Sequence, residues 1–594
     1  MGDTMAENVT WRLEDLYAGE DDPAIEADRS WCRKEADGFS AEYRGRVSSL
    51  APDQLLAAVE RYEALMERLF RLASFAYLSF STQTQNAKAG ALRQSVQEFH
   101  SEIHRDTLFF ELEWTQMADE AAERLAASPA LARYRHFLES LRRYKPHMLS
   151  ETEERLLAEV SPVGAPAWNT LFDKVLGRLP FGERRRTESE VLSDLHHSDR
   201  GVRKQAAAEL TDGLSGVLHI LTHILNTILL DKSIGDRLRR YPHWLRSRNL
   251  ENEADDAMVE ALVSAVGSRY GLVHRYYRLK RRLLGYEALY DYDRYAPIPG
   301  TPDRTFSWEE ARDIVLSAYE SFSPKMAETA SRFFSGKWIH APVLAGKRSG
   351  AYSHSTVPSA HPYVFLNFTG TNRDVITLAH ELGHGVHQFL AAKQGLLNAD
   401  TPLTTAESAS VFGETIVFRY LLGRFEKPSE RLSLLCSRLE DSFATIFRQV
   451  AMNRFEEAVH NGRREKGELD ADRIAELWMD TQRAMFADSV QLLDHYRIWW
   501  SYIPHFVHSP GYVYAYAFGE LLVLALYQQY RETGSAFVPL YLNLLEAGGS
   551  RSPNELLRPF GMDLADPGFW NRGLNALEDL LVDAEREASG IIQQ

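Results

Sequence analysis

The chain has 594 residues, 44% hydrophobic and 25% charged, with 26 Tyr and 29 Phe. It is too long for one hydrophobic core and too apolar for general disorder, so two or more packed lobes are expected. A formal charge of -16, with basic patches no longer than Lys280-Arg281-Arg282 and Arg184-Arg185-Arg186, argues against a nucleic-acid partner, and two cysteines, Cys32 and Cys436, exclude a disulfide framework or a Cys-rich metal site.

The first residues, Met1-Gly2-Asp3-Thr4-Met5-Ala6-Glu7, lack the basic start and apolar run of a signal peptide. No stretch approaches the ~20 apolar residues of a membrane span, so a cytoplasmic protein with no membrane partner is expected. The predicted elements are mainly helical. Over 53–82, apolar residues recur at three- and four-residue intervals (Leu55, Val59, Tyr62, Leu65, Leu69, Leu72), the pattern of an amphipathic helix. Similar patterns fill 91–117, 130–144 and 203–230. Pro180-Phe181-Gly182 and the arginine run interrupt the helices, which suggests an N-terminal helical domain over 1–190 and a second domain over 191–594. Helices follow over 255–284 and 307–334, the latter opened by Ser307 and Glu310 at capping-box spacing. Between them, Ala296-Pro297-Ile298-Pro299-Gly300 must be extended or turned. The best strand is 363–368, bounded by Pro362 and Gly370, with another near Ala351-Tyr352-Ser353. The loop from Gly346 to Gly350 lacks the spacing of a phosphate cradle.

The segment Thr377-Leu378-Ala379-His380-Glu381-Leu382-Gly383-His384 contains H-E-x-x-H. Thr371 and Asp374 have capping spacing, Leu378, Leu382, Val386 and Phe389 repeat at helical intervals, and Gly395 is a plausible stop. On that helix His380 and His384 lie one turn apart on one face and can share a zinc ion at ~2.0–2.1 Å. Glu381 points about 100° away, placed to act as general base on water at the metal rather than to ligate. His387 shares the face but sits ~10 Å along the axis from His380, too far to join the pair, and reads as a supporting or packing residue. Glu407, among the small residues of the next helix, is assigned as third ligand. Glu414, seven residues on and on the same face, would orient a ligating His through its other ring nitrogen. Leu390 occupies the place of the third metzincin His, which excludes that class. Near the C-terminus, Pro504-His505-Phe506-Val507-His508-Ser509-Pro510-Gly511-Tyr512-Val513-Tyr514-Ala515-Tyr516 offers oxyanion donors or an aromatic core stripe; Tyr512 and Tyr516 share a face if a helix starts after Gly511.

Landmarks along the whole chain resemble oligoendopeptidase F, within the thimet oligopeptidase-like zinc peptidases. They are Thr10-Trp11-Arg12-Leu13-Glu14-Asp15-Leu16-Tyr17, Leu283-Leu284-Gly285 with Asp291-Tyr292, Gly346-Lys347-Arg348-Ser349-Gly350-Ala351-Tyr352, Asn367-Phe368-Thr369-Gly370-Thr371, and the segments bearing His380, Glu407 and His505. The resemblance implies a mainly α fold: a two-lobed helical shell around a deep substrate channel, with a zincin-type active-site helix and a small β-sheet beside it. It also implies one zinc per chain in a catalytic domain over 191–594, and cleavage of internal bonds in short unstructured peptides. A strand beside the channel would pair with the substrate backbone; 363–368, with Phe365 and Asn367, is the candidate. The matched positions support Glu407 as ligand and His505 and Tyr516, with Tyr512, as transition-state donors. Val507, Gly511 and an additional His508 depart from the family pattern and leave open which of His505, His508, Tyr512, Tyr514 and Tyr516 touches the intermediate. The competing readings are a helical zinc carboxypeptidase and an inactive peptide-binding relative.

Overall fold

The structure, a computed structural model, describes residues 6–298 and 304–592. Met1 to Met5 of the N-terminal reading, and Pro299 and Gly300 of the expected turn, lie outside these residues. The elements used below are, in chain order, α1 (Pro23–Tyr43), α2 (Pro52–Thr82), α3 (Ala87–Thr107), α4 (Arg200–Leu238), α5 (Trp308–Phe322), α6 (Pro324–Ser335), β1 (Ile339–His340), β2 (Tyr352–His354), β3 (Tyr363–Phe365), α7 (Asn372–Ala391), α8 (Leu403–Leu422), α9 (Phe447–Lys466) and α10 (Tyr514–Thr533). The fold is mainly helical with one small sheet, as the sequence leads one to expect.

The chain forms two compact units. The first joins Met1–Lys145, Asp303–Arg424 and Gln529–Asp563; the second joins Pro146–Pro302, Phe425–Gln528 and Leu564–Gln594. The units interleave along the sequence, and position 190, where consecutive domains are expected to divide, lies inside the second.

In the first unit, all six apolar residues that define α2 in the sequence are buried. They pack with Phe39 of α1 and with Val96, Phe99 and Ile103 of α3. Proline sets helix boundaries here. Pro324 occupies the first position of α6 behind its cap, Ser323, and so splits the run expected over 307–334 into two helices. At the start of α7 the Thr371 hydroxyl accepts from the Asp374 N–H (3.2 Å), and the Asp374 carboxylate accepts from the Thr371 N–H (3.0 Å). This reciprocal cap satisfies first-turn donors that have no partner within the helix. Val375, Leu378, Leu382, Val386 and Leu390 form the buried face of α7, which packs on α5, α6 and α8.

The approach of α7 to α8 depends on a glycine. A Cβ at Gly383 would lie 2.5 Å from the Ala409 carbonyl oxygen and 2.7 Å from Ser410 Cα, closer than backbone atoms allow. Gly383→Ala is therefore expected to destabilise the protein by about 1–3 kcal/mol through overpacking. Urea unfolding checks this; an unmoved midpoint would show that the two helices part without cost.

The sheet has the order β1-β3-β2. β1 pairs with β3 in parallel (Ile339 opposite Val364) and β2 pairs with it antiparallel (Ser353 opposite Val364). This corrects the expectation for 363–368. On one side the Val364 and Leu366 N–H groups donate to the Trp338 and His340 carbonyls, both at 2.9 Å, and β2 takes the other side. Phe365 is fully buried, and the Asn367 amide donates to the Arg348 and Gly350 carbonyls. β3 thus has no free edge for a substrate. Its strand signal is strong because a central strand is apolar on both faces; the weaker β2 is an edge strand.

In the second unit, α4 is long and apolar enough over one stretch to meet the length and composition of a membrane span, contrary to the expectation of none. Leu221, Ile224, Leu225, Ile228 and Leu229 of this stretch are buried with Phe455, Trp478 and Trp499, so its apolar side is a wall of that unit's core. Buried Asn226 in the same stretch is matched by the Leu469 backbone, donating to its carbonyl (2.8 Å) and accepting from its N–H (2.9 Å). Cys32 and Cys436 are buried and unbridged.

Candidate metal centre

The helical period of α7 sets His380 and His384 side by side, with ring centroids 4.8 Å apart. Glu407, near the start of α8, brings its Oε2 to 3.6 Å from the Nε2 of each imidazole, and the three ligand atoms all lie within 4.8 Å of one another. A tetrahedral ion with bonds of ~2.0–2.1 Å separates its ligand atoms by about 3.4 Å. The spacing therefore fits one small dication, and two imidazole nitrogens with one carboxylate oxygen form a donor set suited to zinc.

Neighbouring groups hold these atoms in place. Glu414 accepts a hydrogen bond from His380 Nδ1, which leaves Nε2 facing Glu407. The Ala406 backbone lies beside the His384 ring and raises it slightly. The Ser410 hydroxyl donates to Glu407 Oε2 at 2.6 Å. Two buried tyrosines fix the helix backbones: the Tyr319 hydroxyl donates to the Ala379 carbonyl (2.6 Å) and the Tyr541 hydroxyl to the Ser408 carbonyl (3.0 Å). Sequence reasoning found neither tyrosine, since both belong to segments remote from the motif and carry no spacing signal. Removing the Glu414 carboxylate by Glu414→Ala is expected to weaken metal binding about 10–100-fold. Competition with a chromogenic chelator measures this, and an unchanged affinity would remove Glu414 from the site's support.

The local field favours positive charge. Burial pulls His380 down, but the hydrogen bond and charge of Glu414, with Glu407 and Glu381, lift it to about 10. Burial outweighs Glu407 at His384 and takes that ring to about 4, so it is a neutral donor. Glu381 is only 6% exposed. Burial raises its carboxyl to about 7, opposed by His380 and aided by Glu407 and Glu414, the range in which a carboxyl both takes and returns a proton.

A pocket of about 500 Å³ is lined by His380, Glu381, His384, Glu407 and the β2 residues Tyr352 and Ser353. The Ser353 backbone lies beside Glu381 and lowers its carboxyl slightly against the effect of burial. The Ser353 carbonyl accepts a long contact from Gln388 Nε2 (3.5 Å), and its hydroxyl donates to Gln388 Oε1 (2.7 Å). Gln388 continues the face of His380 and His384 at a further four-residue step, a spacing that could have revealed it in the sequence. His387 is buried and also lines this pocket; burial, with His384, holds its imidazole down at about 4.

The Tyr/His segment lies in the second unit. His505 Nε2 is 3.2 Å from the Tyr516 hydroxyl, and the Tyr512 and Tyr516 rings are 5.1 Å apart. His508 instead pairs with Asp173 (2.8 Å), and buried Tyr514 accepts from Asn252 Nδ2 (2.9 Å). Three of the five candidates thus gather and two are engaged elsewhere. Tyr512 precedes α10 rather than sharing its face, because the chain turns at Gly511 (φ +76°), where the N–H donates to buried Glu456 (2.7 Å).

The sequence profile of peptidase family M3 matches residues 194–576. The chain belongs to peptidase family M3. A second profile, Oligopeptidase F, matches residues 113–181 of this M3 peptidase. Oligopeptidase PepF of Bacillus subtilis is 26% identical to it over 599 residues, which cover 97% of this chain and 88% of PepF. A solved structure from Chlamydophila abortus superposes with a TM-score of 0.84 at 23% identity, over 98% of both chains. The crystal structure of oligoendopeptidase-F from Enterococcus faecium superposes with a TM-score of 0.71 at 22% identity, over 96% of this chain and 99% of that one. The M3 peptidase therefore resembles oligoendopeptidase F over nearly its whole length and is a metalloendopeptidase, a hydrolase of oligopeptides.

Proposed function

We propose that this M3 peptidase is a zinc endopeptidase that cuts internal bonds of short unstructured peptides. One zinc per chain is held by His380, His384 and Glu407, and Glu381 is the general base. The convergence of those three ligand atoms, with buried Glu381 beside them, carries the reading. When bound, zinc supplies a Lewis acid that acidifies water and polarises the scissile carbonyl. Glu381 takes the proton from the attacking water and returns it to the leaving amine. Glu414 keeps His380 in the tautomer that presents Nε2. His505, Tyr512 and Tyr516 are assigned the donor role toward the oxyanion. The substrate backbone is assigned to the edge strand β2 in place of β3. Ser353 of this edge strand lines the pocket, and an extended peptide adding antiparallel there gains the main-chain bonds of an extra strand.

Digestion of a peptide blocked at both ends tests this. Stripping the protein with a chelator is expected to abolish internal cleavage, and one equivalent of zinc to restore it. Undiminished cleavage by the metal-free protein would end the proposal, and cleavage confined to peptides with a free C-terminus would replace it with a carboxypeptidase.

A further inference from the structure

The turn at Gly511 rests on a buried acid of the second unit that the proposed reaction does not use. Glu456 of α9 is 1% exposed, and its Oε1 accepts the hydrogen bond from the Gly511 N–H (2.7 Å). Its Oε2 has no hydrogen-bond partner among the described residues, and neither has Nδ1 of His460, one turn along the same face of α9. The His460 ring stacks on Trp244 with centroids 4.8 Å apart. Trp244 and Leu245 also back the turn: a Cβ at Gly511 would lie 2.7 Å from Leu245 Cδ1 and 3.5 Å from Trp244 Cζ3. The residues that follow are tied to the same neighbourhood. The Arg248 guanidinium lies 5.7 Å from the centre of the Tyr512 ring, and Asn252 donates to the Tyr514 hydroxyl. His505 and Tyr516 meet from either side of the turn (3.2 Å), so the turn sets their spacing.

The groups that face Glu456 are mixed in charge. Gly511 offers one N–H, while Arg248 of the short helix Arg246–Glu251 and Lys232 of α4 offer positive charge. Both cations already have carboxylate partners: Arg248 pairs with Glu251 (2.6 Å) and Lys232 with Asp236 (3.1 Å). Asp236 also holds Arg464 of α9. Burial, with Lys232 and Arg464, holds His460 well below its ordinary value, so that ring is neutral. Burial raises Glu456 to about 8 against the Gly511 N–H, Arg248 and Lys232, so it is an uncharged acid at neutral pH. In that form its carbonyl oxygen meets the N–H and no charge is buried. Once ionised, Oε2 is a buried anion without a donor, and relief comes from drawing in water or Arg248, which lies on Tyr512.

We infer that Glu456 is a positioning residue for the oxyanion donors: uncharged, it pins the turn at Gly511 and so holds His505, Tyr512 and Tyr516 in place, and its ionisation releases them. The inference rests on the donor role proposed for those three residues. Donors aimed at charge that develops only in the transition state act on kcat and leave KM nearly alone, and a misplacement of about 1 Å can cost about 10²-fold.

The test compares zinc-loaded wild type, Glu456→Gln and Glu456→Ala on one end-blocked peptide, with kcat and KM followed from about pH 6 to about 10. Wild-type kcat is expected to fall on the alkaline side with an apparent pKa of about 8. Glu456→Gln keeps the accepting oxygen and cannot ionise. Its kcat at neutral pH should stay within about threefold of wild type, and its alkaline limb should move up by at least about one pH unit. Glu456→Ala frees the Gly511 N–H and should lower kcat by about tenfold or more, with KM within about threefold. A wild type without that limb, a Gln variant that retains it, or a folded Ala variant with wild-type kcat would overturn the inference, as would a change confined to KM. Wild-type kcat in both His505→Ala and Tyr516→Phe would instead count against the donor role, and the alkaline limb of the Gln variant would still report on Glu456.

Discussion

Replacing Glu381 by Gln is expected to lower kcat by about 10²–10⁴-fold while zinc stays bound. Glu381 is not one of the three convergent ligand atoms, so its loss removes no metal bond. Gln keeps the volume of Glu381, so the pocket should hold its shape. The variant loses a group able to carry a proton between water and amine. Burial raises that group to about 7 in the metal-free site, and an amide has no proton to exchange in this way. Steady-state kinetics with zinc analysis on the same samples decides the matter: wild-type kcat with full zinc would remove Glu381 from the chemistry, and loss of zinc would make it a ligand.

Glu407→Ala should act on the metal itself. Without Glu407 the site keeps two imidazoles from one helix and loses its anionic donor from α8, so the affinity loss should exceed the ~10–100-fold of an outer partner such as Glu414. The Glu407 side chain is 38% exposed, and its removal leaves no sealed cavity, so the variant should fold. Zinc content after dialysis should fall from one per chain toward none, with peptide hydrolysis falling alongside and the circular dichroism spectrum unchanged. Retention of one zinc by the folded variant would assign the third ligand elsewhere.

What the sequence revealed was local. The α2 stripe, the Thr371–Asp374 cap and the His380–His384 step depend on spacing within one element, and each stands in the structure as read. Glu407 was reachable because the small residues around it imply close packing, which Gly383 against Ala409 realises. The misreadings concern partners distant in the chain. The strand with the strongest pattern, β3, is the one enclosed on both sides, and the edge beside the site belongs to β2, whose three residues carry little signal. Tyr319 and Tyr541 reach the α7 and α8 backbones through folding alone. The interleaved units arise from pairing between remote segments, which neither composition nor periodicity encodes.

The most direct measurement is anomalous diffraction at the zinc absorption edge from crystals of the zinc-loaded protein. The account predicts one peak per chain within ~2.0–2.2 Å of His380 Nε2, His384 Nε2 and a Glu407 carboxylate oxygen, with Glu381 outside bonding distance. A peak bound by other side chains, or none at these three after zinc loading, would contradict it.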